Sequence, residues 1–132
     1  MKLRNLFRLG LALLLVAMVL NSCKKVDQEE LDDSSIQTYL SDNGLVATKH
    51  NSGLYYIISD SGFGGFQDIN TTVSVYYRGT LLDGTEFDKT LAPSPALVYP
   101  LSQLIAGWQI GIPLFQKGGK GKLFIPSGLG YG

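Results

Sequence analysis

Turn signals recur at short intervals along this chain from residue 43 onward. Asn43-Gly44, "NSG" at 51–53, the glycine-rich "DSGFGGFQDIN" at 60–70, Asp83-Gly84 and "KGGKGK" at 117–122 divide it into short pieces. Glycine reaches the backbone angles that tight turns need, and Asn or Asp beside it favours the same turns. The pieces between them are strand-sized. "LVATKH" and "LYYIIS" flank the "NSG" turn as a hairpin, and "TTVSVYYR" alternates into the next strand. Asp83-Gly84 is a strong hairpin signal. Residues 97–101 form a further short strand, which Pro100 confines to an edge or an end. "KLFIP" is the last.

Residues 106–115 suit a short helix, kept short by Gly107, Gly111 and Pro113. Leu104 and Trp108 are four apart and would share the face of that helix turned to the sheet. The expectation is an α+β fold: four or more antiparallel strands with one short helix on their apolar face. A chain of 132 residues holds one such domain.

The N-terminus is of a different kind. Lys2, Arg4 and Arg8 precede an apolar run from Leu9 to Leu20. About 20 apolar residues are needed to span a bilayer, so this run reads as a signal peptide over residues 1–22. The lone cysteine, Cys23, follows directly and has no internal disulfide partner. "VLNSC" resembles the lipobox of bacterial lipoproteins, which marks Cys23 for lipidation and holds the protein to a membrane through acyl chains. Residues 23–33, with the charged "KKVDQEELDD", read as the lipidated cysteine and a solvated tether. Residues 34–44 read as a short amphipathic helix. Asp33 or Ser34 caps it, Ile36, Tyr39 and Leu40 share one face, and Asn43-Gly44 ends it.

The 11 Lys+Arg and 11 Asp+Glu balance, but Lys2, Arg4 and Arg8 all lie in the leader. Without it, 8 bases face 11 acids, a net charge of −3. A phosphate-binding face needs clustered cations, so nucleic acid is excluded as a partner. "KGGKGK" lacks the spacing of a phosphate-binding loop. His50, the lone histidine, reads as a surface residue, and no metal site is expected.

"VSVYYRGTLLDGTEFDKT" (73–90) and "PLSQLIAGWQIGIPLFQKGGKGKLFIPSGLGYG" (100–132) closely resemble the FKBP-type peptidyl-prolyl isomerases in their bacterial lipoprotein form. The resemblance covers roughly residues 54–132, in spaced blocks that keep their order. It implies an antiparallel sheet wrapped around a short helix across an isomerase domain at 45–132. It also implies rotation about the peptide bond preceding proline, without a cofactor, on proline-containing polypeptides in the cell envelope.

Matched motif by motif, the resemblance implies an aromatic pocket from Tyr77, Phe87, Trp108 and Tyr131, with Trp108 as its floor. Asp88 matches the family's acidic pocket residue. Leu104 and Ile105 lie at the side, Leu97 stands in place of a pocket aromatic, Ile105 offers its backbone N–H, and Tyr131 offers its hydroxyl. The same cavity would also serve a non-catalytic module that holds proline-containing segments, and this alternative stays open.

The family's fold continues past the Tyr131-Gly132 block into another strand, so a fragment lacking that strand is expected. The loop after Asp88 lacks the arginine that some members carry, so macrolide binding is not carried over. Lys24 in place of an aspartate favours the outer membrane, on its periplasmic side or its surface. Oligomeric state and client proteins are not legible.

Overall fold

The computed structural model describes residues 27–132. The leader and the lipidation position Cys23 lie outside the described residues.

Helix α1 spans Gln28–Asp42, so it begins six residues before the expected start at residue 34. The second half of the expected tether is therefore helical. The reason is local. Asp27 caps the helix by accepting the N–H of Glu29 (3.3 Å), and Glu29 and Glu30 sit in the first turn, where the helix dipole favours acids. The end falls at Asn43-Gly44, as expected. Gly44 takes φ +61°, and the N–H of Leu45 returns to the carbonyl of Leu40 (2.8 Å).

The helix packs on the domain. Ile36 (3% exposed) and Leu40 (7%) are buried with Tyr55 and Phe124, and the rings of Tyr39 and Phe124 lie 5.9 Å apart. Two carboxylates fasten its flank. Asp33 accepts the Tyr55 hydroxyl (2.8 Å) and pairs with Lys49 (2.6 Å). Asp32 Oδ2 accepts both the N–H (2.7 Å) and the hydroxyl (2.5 Å) of Ser127. Lys49 holds the Asp33 carboxyl below its ordinary value, and the bond from Ser127 does the same for Asp32.

The strands are β1 (Thr48–Lys49), β2 (Tyr55–Asp60), β3 (Thr72–Val75), β4 (Tyr77–Thr80), β5 (Glu86–Thr90), β6 (Leu97–Pro100) and β7 (Lys120–Phe124). All their pairings are antiparallel, and they form three ladders: β1-β2-β7, β3-β6 and β4-β5. The expected single strand over 71–78 is thus broken at Tyr76. Its first half pairs with β6 and its second half with β5. Pro100 closes β6 opposite Thr72, at an end where its missing N–H costs little. His50 is half-buried rather than on the surface. Its Nδ1 lies 2.9 Å from Ser52 Oγ and accepts the Ser52 N–H (3.1 Å), tightening the 51–53 turn.

Helix α2 spans Ala106–Gly111 and continues as a 3-10 turn over Ile112–Leu114. Leu104 precedes α2, so it does not share a helical face with Trp108 as expected. The sheet-facing positions are glycines instead. A Cβ on Gly107 would come within 2.5 Å of the Ile125 side chain, and one on Gly111 within 2.5 Å of Leu123. Spaced by four, they let the helix backbone settle directly on β7 and the residue beyond it. That leaves Trp108 to point elsewhere.

Candidate active site

The hairpin β4–β5 carries three of the expected site residues. Its turn is built as the sequence requires: Gly84 has φ +89°, and the Asp83 carboxylate accepts the Thr85 N–H (2.8 Å). The register pairs Tyr77 with Thr90 and Gly79 with Asp88, then Thr80 with Glu86. Phe87 is therefore an extra residue, a bulge with no partner on β4. Consecutive side chains on a strand normally point to opposite faces, and a bulge re-aims one of them. Here the Phe87 ring turns over Gly79, where a Cβ would approach it to 2.7 Å. Phe87 and Asp88 thus reach the same side of the hairpin.

On that side, the Tyr77 hydroxyl donates a short hydrogen bond to Asp88 Oδ2, and Asp88 Oδ1 accepts the Lys89 N–H (2.9 Å). The bond to Asp88, then burial, then the charge of Asp88 push the Tyr77 hydroxyl up to about 12. Tyr77 therefore stays a neutral donor across the physiological range. Its ring meets Trp108 edge to face, with centroids 4.9 Å apart and planes at 88°. Phe87 meets Tyr131 the same way, at 6.1 Å and 85°. Tyr77 and Trp108 are half-buried, whereas Phe87 (53%) and Tyr131 (79%) are exposed. The result is two edge-to-face ring pairs, one half-buried and one exposed, joined by the Phe87-Asp88 step of β5 and the Tyr77–Asp88 bond.

Ile105 caps α2 in an extended conformation. Its carbonyl accepts the N–H groups of Trp108 (2.9 Å) and Gln109 (3.1 Å), while its own N–H has no hydrogen-bond acceptor among the described residues. Leu104 and Ile105 directly precede the helix that bears Trp108. Leu97 lies on β6 opposite Val75. None of these three joins a ring pair. Sequence reasoning missed two supporting residues. Gly79 makes room for the Phe87 ring. Gln109 donates its side-chain amide to the carbonyls of Leu104 (2.7 Å) and Ser102 (3.2 Å), fixing the segment that presents Ile105. The available signal for Gln109 was its place directly after Trp108, within reach of a turn lacking helical partners. Among the described residues there is no group of three His, Cys, Asp or Glu placed to hold a metal ion.

Comparison with known proteins gives this geometry a context. The profile of the family described as FKBP-type peptidyl-prolyl cis-trans isomerase matches residues 66–132, half of the chain, including every residue of the two ring pairs. The isomerase FkpA of Buchnera aphidicola is 43% identical over 86 residues, covering 64% of this chain and 34% of its own. Outer membrane protein MIP of Legionella longbeachae is 36% identical over 110 residues, covering 83% and 46%. The crystal structure of Escherichia coli FkpA superposes with a TM-score of 0.69 at 30% identity, over 98% of this chain and 60% of that one. The chain thus spans about a third to a half of the length of these curated relatives. With the profile covering both ring pairs, the chain belongs to the FKBP-type peptidyl-prolyl cis-trans isomerase family.

Proposed function

We propose that this chain is a peptidyl-prolyl cis-trans isomerase acting on proline-containing segments of proteins that fold in the cell envelope. The observation that carries this reading is the aromatic cluster itself: Tyr77 on Trp108, Phe87 on Tyr131, and Asp88, next to Phe87 in the chain, bonded to the Tyr77 hydroxyl.

Such a cluster suits the chemistry. Rotation about the amide meets a barrier of about 18–20 kcal/mol because resonance keeps the bond planar. No bond to the protein need form. The twisted amide has lost resonance and carries a less polar carbonyl, so an apolar surface favours it over the planar form. This is differential binding of the transition state. The proline ring rests on the Trp108 indole. The free N–H of Ile105 and the hydroxyl of Tyr131 hold substrate carbonyls, and Leu97 and Leu104 extend the apolar wall. Asp88 keeps the Tyr77 hydroxyl turned inward.

A protease-coupled assay on a proline-containing chromogenic peptide tests this. The expected result is accelerated cis-to-trans conversion, lost in Phe87→Ala or Tyr77→Ala and largely kept in Asp88→Asn. A rate no faster than the spontaneous one would overturn turnover and leave binding without catalysis.

An envelope location is supported by the name of the Legionella relative, an outer membrane protein. The membrane is reached through lipid on Cys23 after loss of residues 1–22. Metabolic labelling with a radioactive fatty acid checks the anchor, and a Cys23→Ser chain that still takes up label would sink it.

A further inference from the structure

The turn before Tyr131 is held by the N-terminal helix. Ser127 opens a 3-10 turn over Ser127–Leu129. Its N–H and hydroxyl both donate to Asp32 Oδ2 on α1. Its carbonyl accepts the N–H groups of Gly130 and Gly132, each at 3.0 Å. Those are the two neighbours of Tyr131. One residue therefore receives α1 on its donor side and pins both flanks of Tyr131 on its acceptor side.

The ring of Tyr131 has little packing of its own. It is 79% exposed, and among the described residues its one aromatic ring pair is with Phe87. Its place is set by the backbone that carries it. The Asp32 carboxylate is itself oriented, because Gln28 Nε2 donates to its other oxygen (2.8 Å). Hydrogen bonds to a carboxylate are stronger than neutral ones and polarise the next bond in a chain.

We propose that Asp32 is a positioning residue for Tyr131, acting through Ser127, so that the N-terminal helix helps to build the site. This rests on the reading of Tyr131 as a group that meets the prolyl substrate.

The test compares full-chain Asp32→Ala, Asp32→Asn, Ser127→Ala and Asp33→Ala. Asp33→Ala breaks the other fastening of α1, to Tyr55 and Lys49, and leaves Ser127 alone. Two quantities are read: the NMR contact between the Phe87 and Tyr131 rings, and KM against kcat for a prolyl peptide. In Asp32→Ala the ring contact should vanish and KM rise about fivefold, with kcat changed less than about twofold. Asp32→Asn keeps an acceptor oxygen and should restore both. Ser127→Ala loses the hydroxyl donor, should weaken the ring contact, and serves if Asp32→Ala does not fold. Asp33→Ala should leave both readouts unchanged. An intact ring contact in Asp32→Ala overturns the proposal, and so does equal loss in Asp33→Ala. If the unaltered chain shows no turnover, the isomerase reading fails, and the ring contact alone decides this one.

Discussion

The indole of Trp108 and the ring of Tyr77 stand perpendicular, 4.9 Å apart, and the Tyr77 hydroxyl is bonded onward to Asp88. The chain's lone tryptophan is thus a built-in reporter on the proposed site. A proline-containing peptide that seats there should shift Trp108 emission to the blue in a saturable way. Tyr77→Ala should weaken the affinity read from that shift about tenfold, the loss expected for about 1.4 kcal/mol of binding.

Gly79→Ala should harm the site more than the fold. Its Cβ would collide with the far end of the Phe87 ring, which can swing away, rather than with backbone. The expected outcome is a fall in kcat/KM of about tenfold with a small change in melting temperature. Isomerase assays and thermal melts of the same preparation separate the two.

The Tyr77 hydroxyl is raised to about 12 from an ordinary 10.0, chiefly by its bond to Asp88. The folded state therefore holds this proton in a range where the unfolded chain has released it. By linkage, the stabilisation is fully present below pH 10 and is lost as pH rises from 10 toward 12. Ultraviolet titration should show Tyr77 ionising above its ordinary 10.0, and Asp88→Asn should bring it down.

Gly107→Ala and Gly111→Ala should each destabilise the domain by about 1–3 kcal/mol, the usual cost of overpacking. The added methyl groups would meet the half-buried side chains of Ile125 and Leu123 at 2.5 Å. Urea unfolding measures the loss. Trimming the facing residue, as in Gly107→Ala with Ile125→Val, should recover part of it.

The turns were the most legible part of the fold, because Asn43-Gly44 and Asp83-Gly84 act through local backbone geometry. The start of α1 was not legible. "QEELDD" is as acidic as a solvated tether, and two of its carboxylates also find partners in Lys49, Tyr55 and Ser127, distant in sequence. Gly107 and Gly111 read as helix breakers, whereas their role is close approach to Ile125 and Leu123. The site residues were named through a family resemblance, but their pairing was not. That Phe87 and Asp88 can serve one side of a hairpin depends on the bulge between Gly79 and Thr80, a property of strand register that single residues do not announce.

The fastening of Asp32 to Ser127 also has a consequence for biosynthesis. The two residues are separated by 95 positions, and Phe124, which covers the helix, is nearly as far along. Helix α1 leaves the ribosome early and can meet Tyr55 and Lys49 soon after, but its cover is completed only when Phe124 and Ser127 emerge. Contacts this remote are the slow ones to close, and the nascent chain is most exposed to misassociation before they do.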